Sequence, residues 1–254
     1  MRTFLVVLIL LFVAGIGAQS IGPGAAIPAV AYLPGVGATF WQSDVVIHNP
    51  NDSPTTVNLL LFPEIKDGET TPEIKTEEDT VPARGQLTLS NVVGTVFHQP
   101  PNTKGALSVI STNGASLVVG SRTYTFGDDG GSFGQDVFGI LVTDRGWASG
   151  VREDSFYRTN VGIFLPVPPA QGQTVAFSII VRDPDGEEVA SGSIDFGAAG
   201  LRQRPLSDFV VSQLFSGSIE VICSDPSYFW YGYISRIDNI SGDAVYRPLR
   251  GKEF

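Results

Sequence analysis

Chemistry in this 254-residue chain could reside in its two histidines, one glycine-flanked serine, two aspartate-bearing loops, two strand arginines and one aromatic run. His48 follows an apolar strand just before Asn49-Pro50, and His98 stands before Gln99-Pro100. Neither has a second histidine at metal-ligand spacing, so both read as ordinary structural or surface residues rather than zinc ligands. Gly130-Gly131-Ser132-Phe133-Gly134 matches the G-x-S-x-G pattern of hydrolase nucleophiles. That chemistry needs a strand, a sharp turn and a helix, with the histidine later in the chain. Here the serine falls between two predicted strands and both histidines precede it, so the match reads as a glycine-rich hairpin loop. Asp128, Asp129 and Asp136, and in a later loop Asp238 and Asp243, offer oxygens of the kind calcium binds. Their spacing fits no EF-hand, and turns favour Asp and Gly in any case. The expectation is no metal and no cofactor.

Arg122 and Arg236 each follow a serine inside a strongly apolar strand, where an arginine is costly unless paired. Asp44 and Asn160 occupy matching places on an earlier strand. The expected arrangement is an internal polar strut, Arg122 on Asp44 and Arg236 on Asn160 or on backbone carbonyls. The rival role is a ligand-binding arginine, since guanidinium suits carboxylates and phosphates. The aromatic run Tyr228-Phe229-Trp230-Tyr231-Gly232-Tyr233 is the candidate binding surface. Strand alternation would turn some of these rings outward, where Tyr228, Trp230, Tyr231 and Tyr233 could contact sugar rings or a protein partner. The competing role is packing between two domains.

These residues sit in a chain that repeats itself. Phe40-Trp41-Gln42-Ser43-Asp44-Val45 returns as Phe156-Tyr157-Arg158-Thr159-Asn160-Val161, Leu89-Ser90-Asn91 as Leu206-Ser207-Asp208, Gly105-Ala106-Leu107 as Gly217-Ser218-Ile219, and Ser121-Arg122 as Ser235-Arg236. The offsets run from 112 to 117 residues. A period that long is a duplicated domain, not a solenoid of ~20–50-residue repeats. The copies are expected at 29–142 and 147–250, joined by a short seam. Short β-branched and aliphatic runs bounded by Gly and Pro turns fill both. One turn, Asp183-Pro184-Asp185-Gly186, closes a hairpin between 174–182 and 187–196. Ser90 and Ser207 each precede apolar residues at helical spacing, so each is expected to cap a two-turn helix. The predicted fold is all-β: two tandem antiparallel β-sandwich domains of immunoglobulin-like type, each with one short helix. The acidic stretch 63–82, the main difference between copies, is expected as a solvated hairpin extension.

Residues 1–18, with Arg2 followed by an apolar run ending at Ala18, have the form of a secretory signal peptide, and 19–28 that of a small-residue leader. The apolar run is shorter than a membrane span, so no span is expected after cleavage and the location is secreted or periplasmic. Cys223 is the single cysteine, so no internal disulfide can form. Loss of residues 1–18 would move the net charge from −10 to −11, which argues against nucleic acid and anionic membranes as partners. With 43% hydrophobic and 17% charged residues the chain is globular, not disordered.

The motifs Ala31-Tyr32-Leu33-Pro34-Gly35, Phe40 to Val45 with Asn49-Pro50, and Ser121-Arg122-Thr123-Tyr124 resemble uncharacterised exported bacterial proteins built from paired β-sandwich repeats, of the accessory-module type. Copy two departs from the pattern with Asn160 for the aspartate and Leu165 for the asparagine. The resemblance implies an extracellular, non-catalytic module and supplies no active site. The expected function is attachment to a glycan or cell-envelope surface. The alternatives are a protein–protein scaffold working through open sheet edges, and a secreted hydrolase with two carboxylates.

Overall fold

Alternation along Phe40–His48 builds the first inner face: Ser43, Val45 and Ile47 are buried, while Gln42, Asp44 and Val46 between them are only half-covered. A computed structural model describes residues 19–252 apart from 36, 38, 69, 70, 128, 129, 211 and 212. The signal segment 1–18 and the calcium candidates Asp128 and Asp129 lie outside the described residues. Within them are eighteen strands and two short helical turns. Every strand ladder is antiparallel.

The strands come in two equivalent series. The first is β1 (Gln19–Gly22), β2 (Gly24–Pro34), β3 (Phe40–His48), β4 (Thr55–Pro63), β5 (Lys75–Val81), β6 (Gln86–Leu89), β7 (Thr103–Ser111), β8 (Leu117–Phe126) and β9 (Ser132–Asp136). The second is β10 (Leu141–Val142), β11 (Arg145–Glu153), β12 (Tyr157–Leu165), β13 (Val175–Arg182), β14 (Glu188–Phe196), β15 (Gly200–Pro205), β16 (Leu214–Cys223), β17 (Trp230–Asp238) and β18 (Ala244–Pro248). Each ladder of the second series has its counterpart in the first. β1–β8–β3–β6 with β9 on β8 matches β10–β17–β12–β15 with β18 on β17, and β2–β7–β4–β5 matches β11–β16–β13–β14. The first series has one further ladder, between β2 and β3 (Tyr32 to Gln42), which joins its two layers into a single nine-stranded sheet. The β13–β14 hairpin turns through Gly186 at φ 87°, with Asp183 Oδ1 accepting the Asp185 and Glu187 amides.

Two expectations are corrected here. Segment 19–28 is not a leader: it forms β1 and the first half of β2, laddered to β8 and β7. Nor are there two-turn helices capped by serine. The first is a π-helical turn, Val92–Val96, capped by Asn91 in the left-handed region at φ 43°. The second is a three-residue 3-10 turn, Leu206–Asp208, that follows Pro205 and has no side-chain cap. Gly94 interrupts the first and Pro205 fixes the entry to the second, and segments this short do not repay the cost of helix nucleation. Their buried residues, Val92, Val93 and Leu206, still plug the ends of the two cores.

Each series encloses its own apolar core, and a third cluster lies between them. Ala26, Phe62 and Ala106 from the β2–β7–β4 layer meet Phe164, Leu201, Tyr233 and Ala199 from the β12–β15–β17 layer. That contact explains why β12 reads as a continuous apolar run. Val161, Ile163 and Leu165 face inward, while on the other side Gly162 is covered by the Tyr233 ring and Phe164 is buried against the first series. The start of the acidic stretch, expected in solvent, reinforces the seam. Glu64 bridges Leu201 in parallel, Ile65 inserts into the second core, and Asp67 pairs with both Arg202 and Arg204 on β15.

Ile65 is 5% exposed although it belongs to the first series by sequence. Ile65→Ala is expected to cost about 2–5 kcal/mol in urea denaturation. The loss should fall on the second series, whose core contains Trp230, so Trp230 fluorescence follows it. An unchanged midpoint would show that Ile65 does not pack as described.

Candidate functional site

The aromatic run is not a surface platform. β17 is covered on both faces, so its rings fill two interiors instead of facing water. Trp230 is fully buried in the second core, stacked edge-on against Phe177 at 5.2 Å, and its indole donates to the Thr143 carbonyl at 3.0 Å. Tyr231 and Tyr233 point the other way into the seam, where Tyr231 stacks on Phe164 and Tyr233 on Tyr246. The Tyr233 hydroxyl donates to Gln203 Oε1 at 2.8 Å. Tyr228 is partly buried against the second core. Gly162 is what lets the Tyr233 ring lie flat across β12, because a Cβ there would come within 2.1 Å of it.

Of the two arginine struts, Arg122 differs from expectation, and Arg236 takes the backbone-carbonyl alternative in place of Asn160. Arg122 and Asp44 are ladder partners, but among the described residues no ion pair joins them. Asp44 Oδ1 accepts the Asn91 amide at 2.8 Å. Arg122 is exposed, lies over Tyr124 and donates to the Ser132 hydroxyl at 3.2 Å. An exposed ion pair would contribute little, so the backbone amide takes the carboxylate. Arg236 donates to the Gly150 carbonyl at 3.3 Å. Its ladder partner is Thr159, and Asn160 faces Ser235, so Asn160 and Arg236 project from opposite faces of the sheet. The polar brace that both series share is a hydroxyl the sequence reading passed over. Buried Ser43 accepts from the Ala31 amide at 2.9 Å, and buried Thr159 accepts from the Arg152 amide at 3.0 Å, each tying one layer to the other.

The outward face of β12 grades from apolar to polar along its length: Phe164, Gly162, Asn160, Arg158. Where it turns polar the two series stop touching and leave a cavity of about 310 Å³ at the seam. One wall carries Arg158, Asn160, Gln203, Tyr233, Ser235 and Ala244, and the other Ala29, Ala31, Trp41, Thr123 and Gln135, with Lys104 at the edge. Among the described residues no Asp or Glu lines it. Gln135 Oε1 is buried and has no hydrogen-bond partner in the protein. Lys104 is matched by Glu64 at 2.8 Å. Arg158 donates to Asn239 Oδ1 at 2.6 Å and has no ion pair among the described residues. Burial raises the pKa of nearby Glu153, while the Thr159 amide and the Arg158 charge oppose the rise. The Glu153 carboxylate accepts the Thr159 amide, leaving the guanidinium without a direct counter-ion.

Of the wall residues, Asn160 and Tyr233 are candidates from the sequence, while Trp41, Arg158 and Ser235 figure in it only as members of the repeat. Arg158 and Asn160 stand where the first copy has Gln42 and Asp44. That departure between copies, on alternate residues of one strand, was the available signal. His48 Nδ1 lies 2.9 Å from the Gly85 carbonyl, and Ser132 begins β9 in the open, away from both histidines in the chain.

No protein-family model matches the chain, and no curated protein matches it. Among solved structures, a glycosyl hydrolase family 2 (GH2) member from Bacteroides cellulosilyticus aligns with 83% of this chain and 26% of its own, at 7% identity and a TM-score of 0.16. The chain spans about a quarter of that protein, and a likeness at this level carries no argument about fold or activity.

Burial pushes the Tyr231 phenol up to about 12. It pushes Tyr233 higher, helped by the Glu64 charge, and Tyr246 well above the ordinary tyrosine value, helped by Tyr233. Unfolded tyrosine ionises near pH ~10. These phenols therefore contribute their full stability below pH ~10, and it is lost as pH rises toward about 12 and beyond. In an absorbance titration, Tyr231, Tyr233 and Tyr246 should ionise only around or after cooperative unfolding. Simultaneous titration of all seven tyrosines near pH ~10 would contradict their burial.

Proposed function

We propose that the chain is an exported, non-catalytic binding module of two tandem immunoglobulin-like β-sandwich units, attaching to a glycan or cell-envelope surface through the cavity at the seam. The observation that carries this reading is the cavity itself. It lies between two units, the place where ligand sites concentrate, and has an apolar body with a few converging polar groups. At about 310 Å³ it stands at the small end of the ~300–1,000 Å³ range of ligand pockets. A single sugar unit or the end of a chain is the scale it suits. Binding is favoured over hydrolysis because the lining holds no pair of carboxylates of the kind glycosidic cleavage uses. Attachment through Trp230 and its neighbours is set aside, since those rings are interior.

The test is co-sedimentation of the chain from Gln19 on with insoluble polysaccharides and purified cell envelope. Ala244→Phe, at the start of edge strand β18, puts a ring into the cavity from a position outside all three apolar clusters. Wild type should sediment and Ala244→Phe should remain in solution with an unchanged thermal midpoint. Equal sedimentation of the two would move the binding surface away from the seam.

A further inference from the structure

Charge is distributed unevenly between this protein and its cavity. The chain carries 26 acidic residues against 16 basic ones, yet the cavity lining contains Arg158 and Lys104 and, among the described residues, no carboxylate. Lys104 is neutralised by Glu64. Arg158 has no ion pair among the described residues: one nitrogen donates to a neutral amide, Asn239 Oδ1, its other donors have no hydrogen-bond partner among the described residues, and the Glu153 carboxylate, held by the Thr159 amide, acts on it only through space. A half-buried guanidinium with free donors in a fork geometry is the group that recognises a carboxylate. A second observation narrows the ligand. Gln135 Oε1 is an acceptor with no donor, and a buried acceptor left unpaired is costly. A carboxylate has no proton to give it at neutral pH, so the same ligand would also carry a hydrogen-bond donor, which a sugar hydroxyl supplies. Asn160 and Ser235, whose side chains make no hydrogen bond among the described residues, add further polar contacts. Trp41, only partly buried, supplies an aromatic ring against which the C–H side of a sugar packs.

Resting on the reading of the seam as a binding site, we infer that its ligand is an acidic sugar, with the carboxylate on Arg158 and a ring hydroxyl on Gln135. Two sources share this chemistry, a free sugar acid and a uronate-terminated glycan. Calorimetric titration with D-glucuronate, D-glucose and a glucuronate-terminated oligosaccharide tests it. Glucuronate should bind measurably better than glucose. A tighter oligosaccharide would identify the source as a glycan, and equal affinity would identify the free acid. Arg158→Gln should weaken glucuronate binding by at least about tenfold, leaving glucose and the thermal midpoint unaltered. Arg158→Lys should restore part of the loss.

Glucose bound as well as glucuronate, with sensitivity to Ala244→Phe but not to Arg158→Gln, would overturn the acidic-sugar inference and leave the seam site standing. Binding insensitive to Ala244→Phe, or no binding of any probe alongside no sedimentation, would overturn both.

Discussion

One sheet face in this protein cannot be left in water. The outward side of β12, β15 and β17 carries Phe164, Leu201, Tyr231 and Tyr233, and the β2–β7–β4 layer of the other unit covers it. Each such side chain gains roughly 1.5–3 kcal/mol on full burial, so separating the units would expose more apolar surface than a small domain readily tolerates. The small residues opposite follow from this. Ala26, Ala29 and Ala106 leave room for the aromatic rings, and Gly139, whose Cβ would fall 2.7 Å from the Tyr231 ring, lets the connecting chain pass over them. The insertion of Ile65 and the Asp67 pairs on β15 close the same contact from its edge. The cavity is the remainder, the part of the interface where the β12 face has become too polar to pack dry.

Much of the architecture is legible in the residues. The repeated blocks locate equivalent strands, and ladder by ladder the two series share one pairing scheme. The Asp183 to Gly186 turn and the strand runs of the second copy announce themselves through period and turn chemistry. Alternation alone, however, says only that one face differs from the other. It does not say whether the outward face meets solvent or a second unit. That is why the rings of Tyr228 to Tyr233 could be read as a surface, and why residues 19–28, small and glycine-rich, could be read as a tether. The unbroken run from Val161 to Leu165 did hold the answer, because a strand apolar on both sides must be covered on both sides.

The candidate site was harder to see for a different reason. No contiguous motif encodes it: Arg158, Gln203 and Ser235 come from three strands of one unit, and Trp41 and Gln135 from two strands of the other. Its residues become a group only when the units dock, so spacing along the chain carries no trace of it. What the chain does carry is the contrast between copies, Gln42 against Arg158 and Asp44 against Asn160, at the one place where the second unit has a neighbour and the first has none.

The docking has a directionality that reaches beyond the two units. It joins one layer of the first unit to a different layer of the second, a heterologous contact of the kind that, repeated, generates an open filament. Growth is blocked at both ends by side-chain chemistry. The first unit's equivalent of the apolar β12 face presents Gln42, Asp44, Val46 and His48 instead of Arg158, Asn160, Gly162 and Phe164. At the other end, the layer that would have to cover a next unit is laced by Glu220 with Arg145 and Arg182, where the first unit has Ser108, Gly24 and Phe62 at the matching register positions. Each of these two faces is thereby made unlike the pair that meets at the seam, and a surface that could polymerise by repeating that contact is instead marked by charge and polar side chains.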